Sequence, residues 1–168
     1  MLHSVIQFFD KKVRLDTVSA HCDIPCKIYD PISAQLAALT IIRMVDLIDE
    51  LNAKDNMSLK DQAQLIRLIN EKEDHGLRVK EEVRVIWGDY FKQPQFEQVS
   101  GIHELVHSIM LQASKAKQGV DREDSIALLN LVNQFAEAFW LTKGVDTFSA
   151  TCPYPPSLEL VYPKLSNS

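Results

Sequence analysis

Residues 30–51 read DPISAQLAALTIIRMVDLIDEL, and the fold class follows from the pattern in this stretch. Asp30 and Pro31 are typical of a helix start, because Asp caps the first amides and Pro is tolerated in the first turn. Apolar side chains then recur at helical spacing on one face, at Ile41, Met44, Ile48 and Leu51. The stretch therefore predicts an amphipathic helix that buries this face in a core.

A second helix is expected to begin at Ser58, which forms a capping-box signal with Asp61. Its apolar stripe continues for more than 25 residues, with an irregularity expected at Gly76 and an end imposed by Pro94. This segment therefore predicts a second amphipathic helix.

Two further helices follow, one capped by Ser100 and ending near Gly119, the other opened by Asp121 and ending near Gly144. No strand pattern is convincing. Four amphipathic helices with short connections predict an all-α fold, an antiparallel up-down four-helix bundle. The Pro-rich tail, residues 145–168, cannot be regular helix, and we expect it to lie extended over the bundle or to reach a neighbouring subunit.

Composition limits the classes of partner. The chain has 168 residues, 46% hydrophobic and 24% charged, as in one globular domain. Its formal net charge of −5 argues against a nucleic-acid partner, which selects a basic face. No apolar run approaches the roughly 18 residues of a membrane span, so no membrane partner is expected.

Residues 1–20 read as a leader that a processing peptidase removes on maturation. Their apolar run, residues 5–9, is short for a secretion signal and is followed directly by charged residues. We therefore expect a precursor that is processed in the cytoplasm. Residues 21–144 are expected to form one domain, made of the Cys-containing segment 21–31 and the helices, ahead of the tail.

The segment with the most chemistry is residues 21–31, which read HCDIPCKIYDP. His21, Cys22 and Cys26 offer three side-chain ligands, one short of a closed zinc site. Cleavage before His21 would add a free α-amine, which deprotonates near neutral pH. Amine, amide and two thiolates form a planar donor set that suits Ni(II) or Cu(II), with the imidazole of His21 as an axial ligand.

Three motifs carry a resemblance to a known family. The hook pattern HCDxPCxxYDP, the run WGDYFK at residues 87–92 and the run FWLTK at residues 139–143 occur in this order. Together they resemble the nickel superoxide dismutases, whose mature chains open with such a hook. The resemblance implies disproportionation of superoxide to oxygen and hydrogen peroxide by Ni(III)/Ni(II) cycling, in a homo-hexamer.

The resemblance also implies roles for single residues. His21, Cys22 and Cys26 would hold one nickel ion per subunit, and Ile24–Pro25 would be a cis peptide. Tyr29 and Tyr90 would screen the metal and order water or superoxide beside it. The backbone of Asp23 would line the substrate pocket.

The sequence departs from the family in three places. Lys27 replaces a glycine, which suggests that a glycine-only backbone angle is not essential there. Ala37 and His75 stand where a glutamate and an arginine support the hook histidine, so His21 would be supported differently, for instance by His75. Lys27 and Lys92 are expected to supply a positive field for the anionic substrate.

Two alternative functions remain open at this point. The run His103-Glu104-Leu105-Val106-His107 fits the H-E-x-x-H motif of zinc metallopeptidases, with Glu123 available as a third ligand. A nickel or copper carrier would use the same hook without a tuned redox couple. Redox cycling of the bound metal by superoxide would separate a carrier from an enzyme.

Overall fold

The computed structural model describes residues 27–165, which are predominantly helical with one small two-stranded sheet. Five α-helices are present in this part: α1 Ile32–Asn52, α2 Leu59–Val85, α3 Gln93–Gln98, α4 Ile102–Gln118 and α5 Arg122–Thr142. A π-helical turn, Ile86–Tyr90, continues α2, and the chain ends in strands β1 Thr147–Thr151 and β2 Glu159–Pro163. The expectation of an all-α fold is wrong to the extent of this sheet. None of the described helices is long and apolar enough to cross a membrane.

The four long helices pack as a closed ring of neighbours, with α1 and α4 each contacting both α2 and α5. Polar pairs show that α1 and α5 run in opposite directions. Near the start of α1 the Gln35 amide bonds Asn133 at 2.8 Å, whereas near its end Asp46 bonds Arg122 at 2.7 Å. The predicted apolar stripes are buried between the helices, for example at Ile41, Val79, Val83, Ile109, Leu128, Val132, Phe135 and Phe139.

Two predicted helix starts are confirmed by their caps. The Ser58 hydroxyl accepts a hydrogen bond from the Asp61 amide at 3.2 Å, and the Asp61 carboxylate accepts one from the Ser58 amide at 3.0 Å. Lys54, 2.5 Å from the Asp61 carboxylate, and Ser58 lower the pKa of Asp61 to about 2. At the start of α5, Asp121 accepts from the Glu123 amide at 2.8 Å. Both caps satisfy amides that the first turn leaves without partners.

Three local predictions are wrong. Ser100 does not cap α4, because Gly101 stands between them with a φ of 82°, a conformation that favours glycine. Gly76 does not interrupt α2; it is buried where the Lys117 side chain passes close to its backbone. Pro94 lies inside α3 and does not end α2. The irregularity of the long helix is the π-helical turn.

A buried lysine caps the C-terminal end of α4. The Lys72 side chain is 1% exposed, and its ammonium group donates to the carbonyls of Ala116, at 3.2 Å, and Lys117. Carbonyls in the last turn of a helix have no partner within it and attract positive charge. Burial lowers the pKa of Lys72, a cost that these bonds offset.

The tail forms an antiparallel hairpin that is built into the fold. The Gln35 side chain donates to the Val161 carbonyl at 3.0 Å, and the Asn133 side chain donates to the Glu159 carbonyl at 3.0 Å. The side-chain oxygen of Asn133, Oδ1, also accepts from the Val161 amide at 3.3 Å. Cys152, whose role was open from the sequence, is 2% exposed in the connection between the two strands, where its thiol donates to the Tyr154 carbonyl. Residues after α5 therefore contribute to the core.

Candidate functional site

The two tyrosines singled out in the sequence come together at one end of the helices. Tyr29 lies three residues before Ile32, the first residue of α1, and Tyr90 is the last residue of the π-helical turn. Their ring centroids lie 5.9 Å apart, with an angle of 49° between the planes. Both rings are partly buried against the main core. The fold thus brings together two side chains that are far apart in the sequence. Tyr29 also lies three residues after the predicted ligand Cys26.

Tyr90 is held from several sides. Its ring packs on Phe139 at 4.9 Å and Phe91 at 5.3 Å, measured between centroids. The Lys143 ammonium group lies 4.3 Å from the centre of the Tyr90 ring, within the range of a cation–π contact. The Tyr90 hydroxyl is 2.8 Å from the Thr142 hydroxyl at the end of α5. Such packing leaves the phenol little freedom to move.

The π-helical turn explains how Tyr90 reaches this place. The Phe91 amide donates to the Ile86 carbonyl at 3.3 Å, a bond that spans five residues instead of four. The extra residue shifts the side chains after Ile86 around the helix axis. The Trp87 indole, in the same turn, donates to His103 Nδ1 on α4 at 3.1 Å. The WGDYFK motif therefore encodes a local break in the helix.

A lysine that was not predicted lies beside the tyrosine pair, while the positive field expected from Lys27 and Lys92 stays a prediction. Lys92 donates to the Gly88 carbonyl at 2.8 Å and so braces the turn. Lys27 is exposed and has a φ of 58°, so the chain does adopt a left-handed angle where the family has glycine. Lys143, the cation over the Tyr90 ring, was not predicted from the sequence.

The predicted metal ligands lie outside the described residues. This holds for His21, Cys22 and Cys26, and also for Asp23 and the Ile24–Pro25 peptide. From Lys27 to residue 165, no group of three or more His, Cys, Asp or Glu side chains could hold a metal ion. The donors in the preceding segment, two thiols and an imidazole, are of the kind that nickel accepts. The chemistry of the donor set therefore fits a nickel site.

The metallopeptidase motif has no support in the described part of the chain. His103 and His107 are exposed on α4, and the Trp87 indole occupies the Nδ1 atom of His103. Glu123 does not join them in a metal-binding group. The described residues therefore do not favour a metallopeptidase.

Ala37 and His75, the two departures from the family, line one surface cavity between α1 and α2. The buried His75 ring bonds the Glu71 carbonyl through Nδ1 at 2.9 Å. A carbonyl only accepts, so Nδ1 carries hydrogen. Support of His21 by His75 stays a prediction.

Comparison with known proteins gives the family. Residues 16–143 match the family of nickel-containing superoxide dismutases. The superoxide dismutase [Ni] of Streptomyces coelicolor is 34% identical over 127 residues, covering 76% of this chain and 91% of that protein. The enzyme of the same name from Streptomyces seoulensis is 33% identical over 137 residues, covering 82% of this chain and 96% of that protein.

Solved structures agree with this match. The native structure of a nickel superoxide dismutase at 1.30 Å has a TM-score of 0.64 and 32% identity, covering 73% of this chain and 99% of the solved one. A crystal structure with nickel ligation of the oxidized state has a TM-score of 0.63 and 33% identity, with coverages of 74% and 99%. The family match ends at Lys143, before the hairpin. The chain belongs to the family of nickel-containing superoxide dismutases.

Proposed function

We propose that this chain disproportionates superoxide to oxygen and hydrogen peroxide at a single nickel ion in each subunit. The observation that carries the proposal is the Tyr29–Tyr90 pair, which lies where the predicted hook enters α1. Nickel, when bound, supplies the Ni(III)/Ni(II) couple that takes an electron from one superoxide and gives it to the next. The protein contributes the ligands, the access path and the surrounding charge.

The ligands that we propose are the amine and imidazole of His21, the amide and thiolate of Cys22, and the thiolate of Cys26. The amine exists only after residues 1–20 have been removed, so we propose a precursor and a processing peptidase. Residues 21–144 would then form the active domain, with 145–168 as its tail. Asp23 would line the substrate pocket through its backbone.

Tyr29 and Tyr90 would act as the screen between the metal and solvent. The two rings are partly buried and lie 5.9 Å apart between centroids, and as a screen they would admit superoxide and keep out larger reductants. Restricted access also protects the thiolates, which peroxide can oxidise. Lys143 places positive charge beside the screen of a chain with a net charge of −5, and this favours approach of an anion.

Further proposals concern assembly and location. The ring of four long helices, with α1 and α5 in opposite directions, supports an antiparallel up-down four-helix bundle. The resemblance to the family supports a homo-hexamer, which light scattering of the processed protein tests. The short apolar run of the leader supports a cytoplasmic protein, and the acidic charge supports the absence of a nucleic-acid partner.

The decisive experiment compares two nickel-loaded forms, one beginning at His21 and one that retains residues 1–20. Both are assayed for superoxide dismutase activity after the nickel content has been measured. Activity in the processed form alone supports the function and the amine ligand together. Full activity of the precursor would refute the amine ligand. Inactivity of both forms with nickel bound would favour a metal carrier.

A further inference from the structure

The hydroxyl groups of Tyr90 and Thr142 lie 2.8 Å apart, and the direction of this hydrogen bond can be worked out. The Thr142 hydroxyl is also 2.7 Å from the Phe139 carbonyl, three residues earlier in α5. Threonine in a helix commonly bonds such a carbonyl. A carbonyl only accepts, so Thr142 donates its single hydrogen to Phe139. The hydrogen between the two hydroxyls must then come from Tyr90.

The Tyr90 hydroxyl has a single hydrogen, so donating it to one acceptor determines which other hydrogen bonds the oxygen can form. With that hydrogen given to Thr142, the Tyr90 oxygen offers only lone pairs to anything else that approaches it. Superoxide is an anion and accepts hydrogen bonds. It cannot bond the Tyr90 oxygen directly, whereas a water molecule can donate to Tyr90 and to superoxide at the same time.

We infer that Thr142 is a positioning residue that holds Tyr90 as a hydrogen-bond acceptor, so that Tyr90 meets the substrate through a bridging water and does not supply the proton. The inference rests on the proposed function. The relay runs from Tyr90 through Thr142 to the Phe139 carbonyl, and Lys143 covers the face of the same ring. The last turn of α5 thereby fixes both the orientation and the hydrogen-bonding polarity of the screen.

The test uses variants at the same position. T142S keeps the hydroxyl, T142V keeps the shape without it, and T142A is a second variant without it should T142V not fold. Y90F identifies the Tyr90 signal by difference. The first readout is the tyrosine Fermi doublet in the Raman spectrum of the metal-free processed protein, which distinguishes a phenol that donates from one that only accepts. The second is kcat/KM of the nickel-loaded protein at matched nickel content.

We expect T142S to keep the wild-type doublet and activity. T142V should lose the donor signature of Tyr90, and its kcat/KM should fall about two- to tenfold, the range for one neutral hydrogen bond. An unchanged doublet in T142V would overturn the direction of the bond. A changed doublet with unchanged activity, or a T142S variant as impaired as T142V, would overturn the positioning role. Inactivity of every nickel-loaded form would instead refute the proposed function, while the metal-free spectra would still decide the bond.

Discussion

Replacing Asn133 by alanine is expected to loosen the C-terminal hairpin from the helices. The Asn133 side chain makes three hydrogen bonds, two to β2 and one to Gln35, which itself donates to the Val161 carbonyl of β2. It accepts from Gln35 at 2.8 Å and from the Val161 amide at 3.3 Å, and it donates to the Glu159 carbonyl at 3.0 Å. Alanine removes all three bonds without placing a charge or a large side chain in the hairpin.

The expected magnitude depends on which partners water can reach. A buried polar group that loses its partner costs about 1–3 kcal/mol. Gln35 is 1% exposed and Val161 is 4% exposed, so their groups pay this cost, whereas Glu159 is exposed and bonds to water instead. Two such groups sum to about 2–6 kcal/mol, and because both bonds are only partly buried we expect the lower end, roughly 2–3 kcal/mol. At about 2–4 °C per kcal/mol for a chain of this size, the Tm falls by roughly 5–10 °C.

Cys152 provides an assay for the hairpin itself. Its thiol is 2% exposed, so a thiol reagent reaches it only when the hairpin opens. With Cys22 and Cys26 replaced by serine, the labelling rate reports this opening alone. A loss of about 2 kcal/mol accelerates labelling by roughly 30-fold, since 1.4 kcal/mol corresponds to tenfold. The matched control is Q134A, an exposed neighbour on the same helix, whose effect should stay within about 0.5 kcal/mol.

Equal labelling rates for N133A and Q134A would refute the reasoning, because the three bonds would then not hold the hairpin. A lower Tm with an unchanged labelling rate would show that the helices, and not the hairpin, had lost stability. A double variant with Q35L adds a further check. Its effect should be smaller than the sum of the single effects, since both substitutions remove the same Gln35–Asn133 bond.

K72M removes the donor to the Ala116 carbonyl at the end of α4. We expect the free energy of unfolding, measured by urea titration at neutral pH, to fall by about 1–3 kcal/mol. An unchanged urea midpoint would contradict this. Asp61 gives a prediction on pH. Hydrogen bonds from Lys54 and Ser58 lower its pKa to about 2, below the ordinary value of about 3.9, so its contribution to stability is complete above pH 4 and is lost as the pH falls through 2. The Tm difference between wild type and D61N should be constant near neutral pH and shrink between about pH 4 and pH 2; a difference that grew on acidification would contradict the cap.

The helices were predictable because their stabilising features are local. The apolar periodicity and the caps at Ser58 and Asp121 are written in short stretches of sequence, and the structure confirms them. The hairpin was not predicted, since its strands have five residues each and depend on side chains of distant helices, Gln35 and Asn133. Short strands next to prolines give little periodic signal of their own.

Part of the candidate site was likewise predictable from the sequence, and part was not. The motifs singled out Tyr29 and Tyr90, and the structure brings the two rings together. Thr142 and Lys143 lie within a quoted motif, but their contact with Tyr90 depends on where the last turn of α5 meets the π-helical turn. No pattern within a single helix reveals such a meeting. The hook ligands stay a prediction.

Because a π-helical turn joins α2 to Tyr90, the direction in which the Tyr90 side chain points depends on the number of residues in that turn. Each residue of an α-helix rotates the next side chain by about 100°, and the five-residue bond from Phe91 to Ile86 absorbs one extra step. Deleting Gly88 would restore a continuous α-helix and turn another side chain toward Tyr29. The same deletion in the connection between α1 and α2 would leave that pairing unaffected. The number of residues in this turn therefore decides which side chain packs against Tyr29.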